Sequence, residues 1–337
     1  MTSRVHPCTL LLAFSLAVQF VPSATLTRVD AADSPSRHRV TKADIDRWMV
    51  ELSNWGRWGK DDQKGALNLI TPKERKAALR LVREGVTVSL GHDAVKEKAA
   101  DCLTPYSHQM FLPRGGDPES AGDMIGVNYH GYVHTHMDAL CHIFYQGKMY
   151  NGNTTADIKE SGAQKCSILG VKDGVMGRAV LFDIPRLKGK PYLDLGEAIY
   201  PEDLEAWEKK SGVKVRRGDI VLIRTGRWAR RADKGPWDMS AFAGLHASCM
   251  PWLKKRDLAV LGSDSASDVV PSQVEGVAMP VHQLAVVAMG VWILDVLDLE
   301  QVGVECETRK RWEFLLTVAP LRVPGGTGSP INPIATF

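Results

Sequence analysis

The chain has no CxxC pair, no GxSxG elbow and no P-loop lysine, and it carries little excess of either charge sign. Each absence removes a class of function. Six cysteines scattered from Cys8 to Cys306 build neither a disulfide framework nor a thiolate zinc knuckle. Without the nucleophile elbow a serine-hydrolase route has no support. The glycine-rich stretch Pro324-Gly-Gly-Thr-Gly lacks the lysine and the strand-to-helix setting of a phosphate loop. A formal net charge of +3 over 337 residues gives no footing for nucleic acid or an anionic membrane surface. After the N-terminal segment no apolar run is long enough to span a bilayer. Repeats and low-complexity tracts are missing too.

What remains is an ordinary globular composition, 44% hydrophobic and 24% charged, with ample length for a core. The N-terminus has a secretory pattern: Arg4, an apolar run from Cys8 to Val21, then small residues at Ser23-Ala24 and Ala31-Ala32. Residues 1–32 are therefore expected to be a signal peptide, 33–39 a polar linker, and 40–337 one folded domain. The expected location is exported, periplasmic or secreted.

Apolar spacing at Ile45, Trp48, Met49 and Leu52 predicts a helix. Pro72 predicts the start of another, with Gly85 closing it. Strands are expected at 179–184, 219–225, 258–263, 291–297 and 314–323. Helices are expected near 201–210, 246–255 and 282–289, with Gly290 just beyond the last. Strands alternating with helices predict an α/β domain.

The chemistry concentrates in one place. Of ten histidines, His130, His134, His136 and His142 fall within thirteen residues, with Asp138 among them. Neutral imidazole and anionic oxygen converging on a point hold metals. On a strand, alternation puts His134, His136 and Asp138 on one face. Solvated histidine tracts usually lie in low-complexity sequence; this one is set among Tyr132, Val133, Met137, Leu140, Ile143 and Phe144. His282, opening a helix after Pro280, and Asp295, inside an apolar strand, would complete a site. Alone they read as a helix-cap histidine and a strand-end carboxylate; with the histidine run they read as ligands. Trp55, Trp58, His108 and His246 are candidates to line a substrate pocket, tryptophan suiting flat aromatic groups. Cys141, beside His142, reads as a small buried residue.

The run Tyr132-Val-His-Thr-His136-Met-Asp138-Ala-Leu-Cys-His142 resembles the HxGTHxDxPxH signature of the cyclase family. That family comprises kynurenine formamidase-like metal-dependent hydrolases, including isatin hydrolases. The resemblance runs from about Trp55 to the C-terminus. It takes in Gly177 to Asp183, Gly218 to Gly226, Gly262 to Asp264 and Thr327 to Pro333, and is greatest for a longer, often exported subgroup with Tyr150-Asn-Gly152 after the metal motif.

The resemblance implies a compact α/β domain of the swivelling β/β/α type with a central mixed sheet, and a homodimer or homotetramer. It implies His136, Asp138, His282 and Asp295 as metal ligands, Asp138 able to bridge two ions, and His142 as catalytic acid–base. Two positions depart: Tyr132 stands for the first motif histidine and His134 for the motif glycine. His134 is expected to replace the missing ligand, with His130 as the other candidate. Asp295 stands where the family has a glutamate.

The implied cofactor is a divalent metal, zinc first, with manganese or iron as alternatives. The implied partner is a small-molecule substrate. The implied activity is arylformamidase-like hydrolysis of an N-formyl or cyclic amide, with N-formylkynurenine of tryptophan catabolism as reference. A lactonase or isatin-type ring-opening hydrolase is the alternative, and a non-catalytic secreted metal-binding protein the third.

Overall fold

Four of the predicted strands form the centre of one sheet because their apolar residues are buried on both faces, as parallel strands require. A computed structural model describes residues 38–112 and 119–337. The expected signal peptide, and the linker up to residue 37, lie outside the described residues. In chain order the strands of the main sheet are β1 (Thr87–Ser89), β2 (His136–Asp138), β3 (Val175–Asp183), β4 (Ile220–Arg224), β5 (Val260–Ser263), β6 (Trp292–Asp295), β7 (Glu313–Val318), β8 (Gly328–Pro330) and β9 (Ile334–Thr336). Across the sheet they run β1-β9-β7-β3-β4-β5-β6-β2-β8. β3, β4, β5 and β6 pair in parallel. The other pairings in this sheet are antiparallel. The α/β class and the mixed sheet are as expected.

β8 and β9 sit at positions far apart in that order, yet only Ile331, Asn332 and Pro333 separate them. Four Cα steps reach at most about 14 Å. A flat sheet would place them much further apart, at roughly 4.8 Å per strand. The sheet therefore curls until its two ends approach. Asp298 donates its N–H to the Leu90 carbonyl at 2.8 Å, tying the segment after β6 to the end of β1.

The helices are α1 (Lys42–Glu51), α2 (Pro72–Leu79), α3 (Ile184–Lys188), α4 (Pro201–Ser211), α5 (Arg227–Lys234), α6 (Cys249–Arg256), α7 (Pro280–His282) and α8 (Glu300–Arg309). Thr41 and Asp44 close a capping box on α1. α2 is shorter than its sequence suggests: it ends at Leu79, and Gly85, at φ +72°, turns the chain into β1 instead. The cause is tertiary, since the N–H groups of Glu84 and Gly85 both donate to the Phe337 carbonyl. β7 stops at Val318, short of the expected 323, where Pro320 interrupts. Among the described residues no helix is long and apolar enough to cross a membrane.

α7 continues into a wider π-helical stretch, Gln283–Ala288. Such turns leave carbonyls unmatched at their end. Here Trp55 Nε1 donates to the Val287 carbonyl at 2.6 Å, and Asn54 donates from its backbone to Ala288 and from Nδ2 to Met289. Asn151 in turn holds the Trp55 loop through the carbonyls of Gly59, Lys60 and Asp62.

Candidate metal centre

β2 is only three residues long, but its neighbours set the site. Asp295 of β6 pairs directly with His136, and Ile293 with Asp138. Cross-strand partners share a face, so Asp295, His136 and Asp138 project together. Met137 points the other way and is fully buried. His136 Nε2 lies 3.4 Å from Asp138 Oδ1. His136 Nδ1 donates to the His134 carbonyl at 2.7 Å. That bond fixes the ring's orientation and turns Nε2, the atom left to act as a ligand, toward the carboxylates.

His134 itself is not brought into the cluster. The strand begins after it, so the alternation that would align it with His136 does not reach back that far. Thr135 Oγ1 donates to the Val296 carbonyl and accepts the His92 N–H, pinning the chain before the strand starts. The His134 ring lies edge-on to Tyr106, with Nε2 3.4 Å from the Thr104 carbonyl.

His130 takes the place beside Asp138. Its Nδ1 is 3.0 Å from Asp138 Oδ1, and its Nε2 meets Thr327 Oγ1 at 2.9 Å. The next residue, Gly328 on β8, explains how the ring fits. A Cβ there would stand 2.9 Å from His130 Cε1 and 2.5 Å from the Met137 carbonyl. His142 stacks on His130, ring centroids 3.6 Å apart and planes 6° from parallel, with Nε2 4.0 Å from Asp138 Oδ1.

The third contribution comes from the start of α7. Pro280 leaves the N–H groups of Val281 and His282 unmatched, and Asp268 accepts them at 2.7 and 3.1 Å. The same carboxylate meets His282 Nδ1 at 2.5 Å. His282 Nε2 is thereby aimed at Asp295 Oδ2, 3.0 Å away, and at Asp138 Oδ2, 3.7 Å away. Ser267 donates to Asp295 Oδ1 at 2.8 Å. Ser267 and the β-branched Val296 both adopt left-handed backbone, φ +52° and +58°, local strain of the kind that gathers at functional sites.

Asp138, Asp268 and Asp295 are all buried here. Burial would raise Asp138, but His130 and His136 hold it well below the usual carboxylate range. Burial would lower His282, but Asp295 and Asp268 hold it well above the ordinary histidine value. Burial raises Asp268, partly countered by His282. Burial pushes His142 down to about 4. So many buried carboxylates demand positive charge nearby.

The donors fit a divalent ion. His136, Asp138 and Asp295 form one group, and His130, Asp138 and His142 another, each with ligand atoms within 4.8 Å of one another. Asp138 belongs to both. His130 Nδ1 and Asp138 Oδ1 are buried and close, yet neither has a hydrogen-bond partner among the described residues. Two buried polar atoms 3.0 Å apart that do not satisfy each other are what a coordinated ion would satisfy.

The four pocket candidates make contacts of their own. Trp55 closes the helix end described above. Trp58 stacks under the Arg57 guanidinium at 4.7 Å. His108 lies on an exposed hairpin, Ser107–Phe111 with Gly122–Gly126, between Lys96 and Asp123. His246 is buried against Tyr200 and bonded to Ser248. Sequence reasoning passed over Asp268. The signal was there in Ser263-Asp-Ser-Ala-Ser-Asp268, an acid-and-hydroxyl run directly after an apolar strand.

The family model described as Cyclase matches residues 80–268. A crystal structure described as a novel cyclase is 35% identical, covering 86% of this chain and 99% of that one, with a TM-score of 0.79. Isatin hydrolase A from Labrenzia aggregata, bound to benzyl benzoate, is 20% identical over 77% of this chain and 94% of its own, TM-score 0.56. An isatin hydrolase bound to the product analogue thioisatinate is 18% identical over 79% and 98%, TM-score 0.52. At that identity these two share the fold. No curated protein matches the sequence.

Proposed function

Because the chain belongs to the cyclase family, we propose that it is a metal-dependent hydrolase acting on the carbonyl of an N-formyl or cyclic amide. The observation that carries this reading is the pair of ligand groups meeting on Asp138. His136, Asp138 and Asp295 would hold one ion, His130 and Asp138 a second, with His282 facing both carboxylates. When bound, a divalent ion supplies Lewis-acid polarisation of a carbonyl oxygen and makes water more acidic. Zinc suits this donor set first, manganese or iron after it.

We assign proton transfer to His142. It is the most exposed histidine of the cluster and the furthest from Asp138. Burial leaves its imidazole neutral at neutral pH, so it can take a proton from water and deliver it to the leaving nitrogen. Water adds to the carbonyl carbon, the C–N bond breaks, and the free amine leaves with that proton. The products are a carboxylate, formate for an N-formyl substrate, an amine, and the proton that the new carboxylic acid gives up to solvent. Ring opening of an isatin or a lactone is the second reading, favoured by the isatin hydrolases that share this fold.

The test is metal analysis of the purified protein, then rates on N-formylkynurenine, isatin and simple lactones. Turnover should disappear on chelation and return with metal. Asp138→Ala should lose both metal and turnover. His142→Ala should keep its metal and lose about 10²- to 10⁴-fold in rate. If no substrate turns over with metal bound, the protein is a metal-binding protein without this activity. We further propose a homodimer or homotetramer. In support, the hairpin that carries His108 exposes Met110, Phe111, Met124 and Ile125. Light scattering that finds a monomer would reject this assembly.

A further inference from the structure

Arg227 opens α5 directly after β4. Its backbone N–H, with those of Thr225 and Gly226, donates to the buried carboxylate of Asp264. The guanidinium turns inward and its side chain is 2% exposed. None of its three nitrogens has a hydrogen-bond partner among the described residues. It lies over the rings of Trp228, Trp237 and Phe242, at 4.6, 5.4 and 5.7 Å from their centroids. Nη2 stands 3.9 Å from Asp101 Oδ2, but Arg231 already grips that carboxylate through two nitrogens, at 2.6 and 3.1 Å. Aromatic faces offset part of the cost of burying the charge. They leave a planar fork of five N–H donors unused, in surroundings where an unpaired charge is strongly unfavourable.

Asp101 lines a cavity of about 340 Å³ whose wall also includes His130 and Tyr132. Tyr132 packs on Phe242, ring centroids 4.9 Å apart, so one of the rings beneath the guanidinium backs that wall. Asp238 and Met239 also line it, and their neighbour Trp237 packs against the guanidinium. Arg230, on the far turn of the same helix start, lies over Trp237 at 4.8 Å and also has an unmatched nitrogen, Nη1. α5 thus brings Arg227, Arg230 and Arg231 to a region whose buried acids include Asp101 and Asp264.

Resting on the hydrolase reading above, we propose that this cavity takes a substrate bearing a carboxylate, which pairs with Arg227 when the loop carrying Trp237 yields. A guanidinium meets a carboxylate through two parallel N–H···O bonds, which would use the donors the protein leaves unmatched. The acyl group would then lie on the His130 side of the cavity, toward Asp138. The tyrosine at 132, where the family motif has a histidine, becomes part of the wall that separates charge recognition from chemistry.

The test compares anthranilate with aniline, its counterpart lacking the carboxylate. Binding is followed by tryptophan fluorescence in metal-loaded and metal-stripped protein. Wild type should bind anthranilate in both states, about 10-fold or more tighter than aniline. Arg227→Met should lose about 10- to 100-fold in anthranilate affinity, as for a charged hydrogen-bonded pair, with aniline unchanged. Arg227→Lys should recover part. Anthranilate affinity equal in wild type and Arg227→Met, or binding that needs metal, would overturn the proposal. Should Arg227→Met fail to fold, Arg227→Lys decides, since unchanged affinity without the fork also overturns it. Arg227-dependent binding without turnover of any amide rejects the hydrolase and leaves the subsite. Equal turnover of N-formylanthranilate and formanilide rejects the subsite and leaves the hydrolase.

Discussion

His130 and His134 differ by four positions and by everything that matters to an ion. His130 is held by Thr327 and faces Asp138, whereas His134 faces Tyr106 and the Thr104 carbonyl. His130→Ala should therefore lower the metal content of the purified protein, and His134→Ala should leave it near wild type; the reverse result would reject this assignment. Asp268 touches no other carboxylate of the cluster directly but orients His282. Asp268→Asn should weaken metal binding by about 10- to 100-fold, the usual scale for a group that aims a ligand, read by competition with a chelator. His246 gives a pH effect away from the metal. Burial pushes it down to about 4 from 6.5, so the unfolded chain binds its proton more readily than the folded one. Its contribution to stability is complete above about pH 6.5 and is lost as pH falls toward 4. The melting temperature of wild type should drop faster over that window than that of His246→Gln. Parallel curves would show that His246 does not titrate as argued.

At the scale of elements, the site depends on three strands meeting in register. β2 contributes His136 and Asp138, β6 contributes Asp295 opposite His136, and β8 contributes Gly328 opposite Asp138. Gly328 has to be small, because backbone of β2 and the His130 ring occupy the space a side chain would take. Gly328→Ala should cost roughly 1–3 kcal/mol, the range for overpacking a tight interior, and should also displace His130. Thermal melts and metal titration together check this; a variant with wild-type stability and affinity would show that β8 can move aside. The π-helical stretch after α7 belongs to the same scale. Its last carbonyls are matched by Asn54 and Trp55, so the indole N–H of that tryptophan is taken up by the helix.

For the whole molecule, the five described cysteines, Cys102, Cys141, Cys166, Cys249 and Cys306, are all buried and unpaired. Stability therefore comes from the core and the curled sheet. Adding a reductant should not shift the melting temperature, and a thiol reagent should label these cysteines only after denaturation. A reductant-sensitive melt would reveal a disulfide absent from this structure. We propose that residues up to about Ala32 direct export and are removed, on the strength of the charged start, apolar run and small residues. N-terminal sequencing of the envelope and medium fractions checks it, and an intact Met1 on cytoplasmic protein would reject it.

Local rules sufficed wherever neighbours along the chain decide the outcome. The two-residue period of a strand puts His136 and Asp138 on one face, and the apolar runs around Leu181, Val221, Leu261 and Ile293 read as strands because each is buried on both sides. Proline at the start of α2, α4 and α7 was legible for the same reason. Where a strand begins is not a local property. β2 starts at His136 because β6 and β8 pair with it only from there, so the choice between His130 and His134 lay with partners more than 150 residues away. The same holds for Asp268 beneath His282 and for Arg227 among three rings. Their roles come from closure of the sheet and packing of loops against it, which sequence spacing does not encode.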